Sequence, residues 1–298
     1  MKILVVGGVD GQVASALDAI REPGIDIIVR GPPETDLTNP ATLDAALKAV
    51  SPDVVICTGA YTAVDLAETN AELAQAINGD GPAALARACA VADVPIIQLS
   101  TDYVFAGDKT TPYVETDPTG PTGVYGRTKL AGEQGVTAAG GRHVILRISW
   151  VYDPRGKNFV RTMLRLARTR EEIGVVDDQY GRPTYAPDVA EALVTVARRL
   201  ATDRSAPSGV FHMTGQGEIC TWRVFADSIF ALSAECGGPV ARVKAITTAD
   251  YPTPARRPVN SALDCMHLQS TYGISLPPWP LSLERCINVI ALEDFIST

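Results

Sequence analysis

The amino-terminal segment restricts the fold more than any other part of the chain. Ile3-Leu4-Val5-Val6 is a short apolar run. Gly7 and Gly8 follow at once, then Gly11-Gln12-Val13-Ala14 and a segment with Ala16, Leu17 and Ile20 at helical spacing. A buried strand that turns through glycines straight into a helix reads as the opening of a βαβ unit. Gly8, Gly11 and Ala14 form G-x-x-G-x-x-A. Small residues at these positions allow the tight turn and let backbone amides approach a pyrophosphate at the helix amino end. A plain strand–helix turn would need small residues too, so the rest of the chain must decide.

The same alternation recurs. Strands are expected at Ile25–Val29, Pro52–Cys57, residues 94–100 and Val144–Val151. Helices are expected from Leu43, Ala46, Leu47 and Val50, over Glu72–Ala92 with an interruption near Gly79-Asp80-Gly81-Pro82, and over 125–138. Strand and helix in strict alternation predict an α/β fold, a Rossmann-type doubly wound parallel sheet. Beyond Tyr152 the pattern loosens into helices at Asn158–Arg170, 186–200, 222–233 and 282–294, short strands at Glu172–Asp178 and Gly209–Thr214, and proline-rich loops. This predicts a dinucleotide-binding domain from 1–152 and 184–215, and a smaller, irregular α/β substrate-binding domain from 153–183 and 216–298.

Charge and cysteine usage set bounds. A net charge of −8 argues against nucleic-acid or anionic membrane partners. The six cysteines form no C-x-x-C pair, their spacing suggests no metal site, and buried free thiols fit a reducing, cytoplasmic location. The run Ile3 to Val6 is too short for a signal segment, and no apolar stretch reaches membrane-spanning length.

The second expected strand ends at Arg30. Its guanidinium suits the 2′-phosphate of NADP, or it is a solvated loop residue; Asp36 is one of two nearby acids. The third strand ends in Thr58-Gly59-Ala60-Tyr61, where small residues leave room for a flat cofactor that Tyr61 could cover, or simply permit close packing. The fourth leads into Ser100-Thr101-Asp102-Tyr103 at the carboxyl edge, where ligands of open α/β sheets bind. Tyr125 and Lys129, four apart, share a helix face. Free tyrosine titrates at about 10, and a neighbouring ammonium would lower it.

Seven segments, in one order and over nearly the full length, resemble a known family. They are Gly11-Gln12-Val13, Ala60-Tyr61-Thr62-Ala63-Val64-Asp65, Ser100-Thr101-Asp102-Tyr103-Val104-Phe105, Val124-Tyr125-Gly126-Arg127-Thr128-Lys129, Ser149-Trp150-Val151-Tyr152, Asp178-Gln179-Tyr180-Gly181, and Tyr251-Pro252-Thr253-Pro254-Ala255-Arg256-Arg257-Pro258. The chain resembles the dTDP-4-dehydrorhamnose reductases of the extended short-chain dehydrogenase/reductase superfamily. The resemblance implies reduction of the C4 ketone of dTDP-4-dehydro-6-deoxy-L-mannose to dTDP-L-rhamnose with NADPH, NADH being the alternative, and allows a homodimer. It implies Tyr125 as proton donor, Lys129 as the residue that holds the nicotinamide ribose and lowers the tyrosine's pKa, and Thr101 as the hydroxyl that orients the keto oxygen. It places Asp102, Tyr103 and Trp150 on the sugar; Arg257 is either a diphosphate contact or a structurally paired arginine. Cofactor contacts are expected from Gly7, Gly8, Gly11, Gln12, Val13, Arg30, Asp36, Leu37, Thr58, Gly59, Ala60 and Tyr61, with no metal. Competing readings are a non-catalytic NADP-binding regulatory subunit and another nucleotide-sugar reductase or epimerase of the superfamily.

Overall fold

The computed structural model of the protein describes residues 1–8 and 10–295; Val9 of the glycine segment and residues 296–298 of the second expected domain lie outside the described residues. The strands are β1 (Lys2–Val6), β2 (Asp26–Arg30), β3 (Val54–Cys57), β4 (Ile96–Thr101), β5 (His143–Ile148), β6 (Val151–Tyr152), β7 (Glu172–Val176), β8 (Tyr180–Gly181), β9 (Thr184–Tyr185), β10 (Gly209–His212), β11 (Cys220–Thr221) and β12 (Arg242–Ile246). The α-helices are α1 (Gln12–Ala19), α2 (Pro40–Val50), α3 (Val64–Ala67), α4 (Ala71–Gln75), α5 (Gly81–Val91), α6 (Val124–Ala138), α7 (Phe159–Ala167), α8 (Ala186–Thr202), α9 (Trp222–Glu235), α10 (Met266–Tyr272) and α11 (Trp279–Ile290).

Six strands form one parallel sheet in the order β2-β1-β3-β4-β5-β10. The chain leaves β1 in one direction to make β2 and returns on the other side to make β3. The crevice outside the carboxyl ends of β1 and β3 is therefore the topological switch point. Both faces of the sheet are covered, which is why its inner strands read as unbroken apolar runs. Ile3, Val5, Val54 and Ile56 point to a core shared with α1 and α8, while Leu4, Val6, Val55 and Cys57 point to one shared with α2, α5 and α6. A third core, from α7, α9, α11 and β7, gathers Val160, Met163, Phe225, Ile229, Leu283 and Ile287.

Three departures from the sequence reading have physical causes. The expected interruption of Glu72–Ala92 is a π-helical turn over Ala76–Asp80, joining α4 to α5 without breaking the helical path. The expected strand Val144–Val151 is two strands. It breaks at Ser149-Trp150, where Trp150 adopts φ of 49°. A left-handed backbone at a bulky residue is a position that the sequence pattern cannot announce. The expected strand at Glu172–Asp178 is β7, but its parallel partner β12 and helix α10 were not expected. β12 is largely exposed and carries Arg242 and Lys244, so it lacks the apolar alternation that signals a strand.

Candidate active site

The glycine turn and the end of β3 meet at the switch point. A Cβ at Gly7 would stand 2.3 Å from Thr58 Oγ1 and 2.7 Å from the Gly59 amide nitrogen, so only glycine lets the two strand ends close up. The turn closes with the Gly11 N–H donating to the Gly8 carbonyl at 2.9 Å, and α1 begins at Gln12 with no side-chain cap on its free amides. Above this floor lies a cleft of about 850 Å³. Gly8, Gly11, Gln12, Val13, Thr58, Gly59 and Ala60 line one end; Thr101, Asp102, Tyr103, Tyr125, Lys129 and Trp150 line the other.

The catalytic-looking group comes from two elements. β4 delivers Thr101 and Asp102, both buried, at its carboxyl end. Thr101 Oγ1 donates to Asp102 Oδ1 at 3.0 Å and accepts from the Tyr103 N–H at 3.2 Å. Helix α6 delivers Tyr125, whose ring meets that of Tyr103 edge to face at 5.4 Å. Enclosure by protein and the Asp102 charge push the phenol well above its ordinary value, with Thr101 opposing. Burial lifts the Asp102 carboxyl to about 6 against hydrogen bonds from Ser261 and Thr101.

Lys129 shares α6 with Tyr125 and is buried. Its ammonium donates to the Leu99 carbonyl at 2.7 Å, and burial lowers its pKa while Cys57 and Glu133 oppose. One turn on, Glu133 Oε1 accepts from Ser100 Oγ at 2.5 Å and from Arg147 Nε at 2.9 Å, while Oε2 accepts from Arg147 Nη2 at 2.7 Å. This buried pair ties α6 to β4 and β5 directly beneath the site.

Other expected residues stand outside the cleft wall. Leu37 is a core residue packed beside Gly59. Asp36 accepts from the Thr38 N–H at 2.8 Å and from its hydroxyl at 2.7 Å, an Asx turn. The Tyr61 hydroxyl accepts from Asn70 at 3.1 Å, and Tyr61 packs against the small cluster of Ala67, Ala74 and Val124. Arg30 is exposed at the carboxyl end of β2, beside the glycine turn, and forms no ion pair among the described residues. Arg257 pairs with Asp65 at 2.7 Å and reaches the Tyr103 hydroxyl at 3.5 Å, which is the structurally paired alternative at the rim.

Ser149, Gly156 and Lys157 also line the cleft; of these, sequence reasoning quoted Ser149 only within a motif and gave none of them a site role. Gln12 Oε1, Thr58 Oγ1, Asp102 Oδ2 and Ser149 Oγ are buried in the cleft wall with no protein hydrogen-bond partner among the described residues. Buried polar atoms are rarely left this way, so their concentration in one cavity marks a wall built for a polar ligand. Among the described residues, no group of three or more His, Cys, Asp or Glu is placed to hold a metal ion.

The family model for the RmlD substrate binding domain matches residues 1–292. A dTDP-4-dehydrorhamnose reductase of Sinorhizobium fredii (strain NBRC 101917 / NGR234) is 47% identical over 97% of this chain and 98% of its own length. The chain belongs to the dTDP-4-dehydrorhamnose reductase family. Two crystal structures of the family superpose along the whole fold. The one from Clostridium acetobutylicum is 36% identical, with a TM-score of 0.90 over 97% of this chain and 99% of that one. The one from Bacillus anthracis, solved in complex with NADP, is 32% identical, with a TM-score of 0.88 over 100% of this chain and 99% of that one. Membership of this family makes the protein an oxidoreductase of the short-chain dehydrogenase/reductase fold. No helix among the described residues is long and apolar enough to cross a membrane.

Proposed function

We propose that the chain binds NADPH, with NADH as a weaker substitute, and reduces the C4 ketone of dTDP-4-dehydro-6-deoxy-L-mannose to dTDP-L-rhamnose. The observation that carries this reading is the convergence of Thr101, Tyr125 and Lys129 in one cleft that also holds the glycine turn.

The residues at the switch point fit a dinucleotide. Gly8, Gln12 and Val13 offer backbone amides at the start of α1 to a pyrophosphate, Gly11 closes the turn beneath them, and the unpartnered Thr58 and Gln12 oxygens line the same cleft. Gly7 acts by letting β1 and β3 close. Gly59 and Ala60 leave room for a flat ring, with Leu37 and Tyr61 behind them; Asp36 shapes the turn after β2, and exposed Arg30 takes a 2′-phosphate. Lys129, held by the Leu99 carbonyl, holds the nicotinamide ribose. When bound, the nicotinamide supplies hydride to the C4 carbon.

Charge then develops on the C4 oxygen. Tyr125 donates its proton there, and its raised pKa keeps it protonated across the neutral range, as a donor requires. Thr101 orients the same oxygen. Asp102, Tyr103 and Trp150 contact the sugar. Arg257 contacts the diphosphate from the rim, keeping Asp65 as its second partner. The division into 1–152 with 184–215 and 153–183 with 216–298 is supported by the third core, most of whose residues come from the second unit, with Tyr152 and Tyr185 at the seam. Cytoplasmic action is supported by six cysteines that are all free thiols. Assembly as a homodimer belongs to the same reading and rests on the resemblance.

The test is loss of nicotinamide absorbance with purified protein and the dTDP-4-keto-6-deoxy-L-sugar, with NADPH and NADH in parallel. Consumption, faster with NADPH, is expected. Cofactor binding without consumption would move the chain to the regulatory reading.

A further inference from the structure

Trp150 is held in place from the second half of the chain. Its backbone sits at φ of 49°, a conformation that a bulky residue keeps only when its surroundings enforce it. Two contacts do so. The indole stacks on Trp222 with centroids 3.6 Å apart and planes 12° from parallel. It also lies against Gly181, where a Cβ would stand 2.6 Å from Trp150 Cε2.

Gly181 and Trp222 belong to one support. β8 ends at Gly181, which pairs with Cys220 of β11, and β11 runs directly into α9 at Trp222. The start of α9 is pinned. Thr221 Oγ1 accepts from the Val224 N–H at 3.2 Å and donates to Asp177 Oδ1 at 2.5 Å, and Arg223 pairs with Asp177 at 2.9 Å. Phe159 backs the Trp222 ring at 4.6 Å. Trp150 lines the cleft and Trp222 does not.

We infer that Trp222 is a positioning residue for sugar binding, acting through Trp150: the β8–β11 pair and the head of α9 set the indole that walls the substrate end of the cleft. This inference rests on the reading of the cleft as a nucleotide-sugar site. The stack contributes to KM for the sugar and leaves the cofactor end, built from β1 and β3, untouched.

The test compares Trp222→Leu, which keeps apolar bulk, with Trp222→Phe, which keeps an aromatic face. Trp222→Leu is expected to raise KM for the dTDP-4-keto sugar roughly three- to tenfold, the equivalent of one aromatic pair, with KM for NADPH unchanged. Trp222→Phe should recover most of the loss. In the Trp150→Ala background, Trp222→Leu should add nothing further. An unchanged sugar KM, or a parallel change in kcat and both KM values, would overturn the inference, as would additive effects in the double variant. A second readout is independent of turnover. Stacked indoles couple as an exciton pair in circular dichroism, and the remaining tryptophan, Trp279, has Phe225 as its ring neighbour. The couplet should be present in the unmodified protein and lost in Trp222→Leu. If the unmodified protein failed to turn over the sugar, the substrate reading would fall while the couplet still reported the stack. No couplet in the unmodified protein would remove the stack itself.

Discussion

Thr101 Oγ1 donates its single proton to Asp102 Oδ1 at 3.0 Å, so the acid and the hydroxyl at the end of β4 act as one unit. The carboxyl is held at about 6 by burial. Between roughly pH 4 and 6 the folded chain therefore binds a proton that the unfolded chain has released. This group's contribution to stability falls as pH rises through that window, and the cost is complete above about 6. His212 has the opposite sign. Burial and Arg147 push it down to about 3, so the unfolded chain holds the extra proton between about 3 and 6.5, and stability rises with pH there. Asp102→Asn removes only the first contribution. The stability difference between variant and parent should grow in the variant's favour from about pH 4 to pH 7, by on the order of 3 kcal/mol. Urea unfolding at a series of pH values measures it; a difference that stays flat across the window contradicts the assignment.

The Glu133–Arg147 pair is buried on both sides, with side-chain exposures of 5% and 4%. Removing one charge leaves the other uncompensated, at about 3–5 kcal/mol. Glu133→Gln should lower the denaturation midpoint accordingly, whereas the Glu133→Leu, Arg147→Met double variant should recover much of the loss. A change under about 1 kcal/mol for Glu133→Gln would place the pair among weak surface contacts.

Arg30→Ala should weaken NADPH roughly ten- to a hundredfold, the value of a charge-assisted contact to phosphate, and leave NADH nearly unchanged. Titration of both cofactors by fluorescence decides it. Equal losses would assign the 2′-phosphate elsewhere.

The fold was legible because the sheet's inner strands are buried on both faces and announce themselves as apolar runs between glycine turns. Ile3 to Val6, Val54 to Cys57 and Ile96 to Leu99 show this. The place of Thr101 was legible because carboxyl ends of parallel strands share one edge, and Tyr125 and Lys129 because residues four apart share a helix face. The charge state of Tyr125 was not. It depends on burial and on the Asp102 charge, and spacing along α6 carries neither. The break at Trp150 was hidden because its φ is enforced by Gly181 and by Trp222, which follows it by 72 positions in the sequence. Leu37 and Asp36 follow β2 where cofactor contacts are expected, yet their side chains serve the core and a turn.

The most direct measurement is the turnover of Tyr125→Phe with the dTDP-4-keto-6-deoxy-L-sugar, alongside its affinity for NADPH. The substitution deletes one hydroxyl and keeps the ring against Tyr103. With Tyr125 as the proton donor, kcat should fall about a hundredfold to ten-thousandfold while NADPH binds as in the parent. Undiminished kcat in a variant that binds NADPH normally would contradict the mechanism.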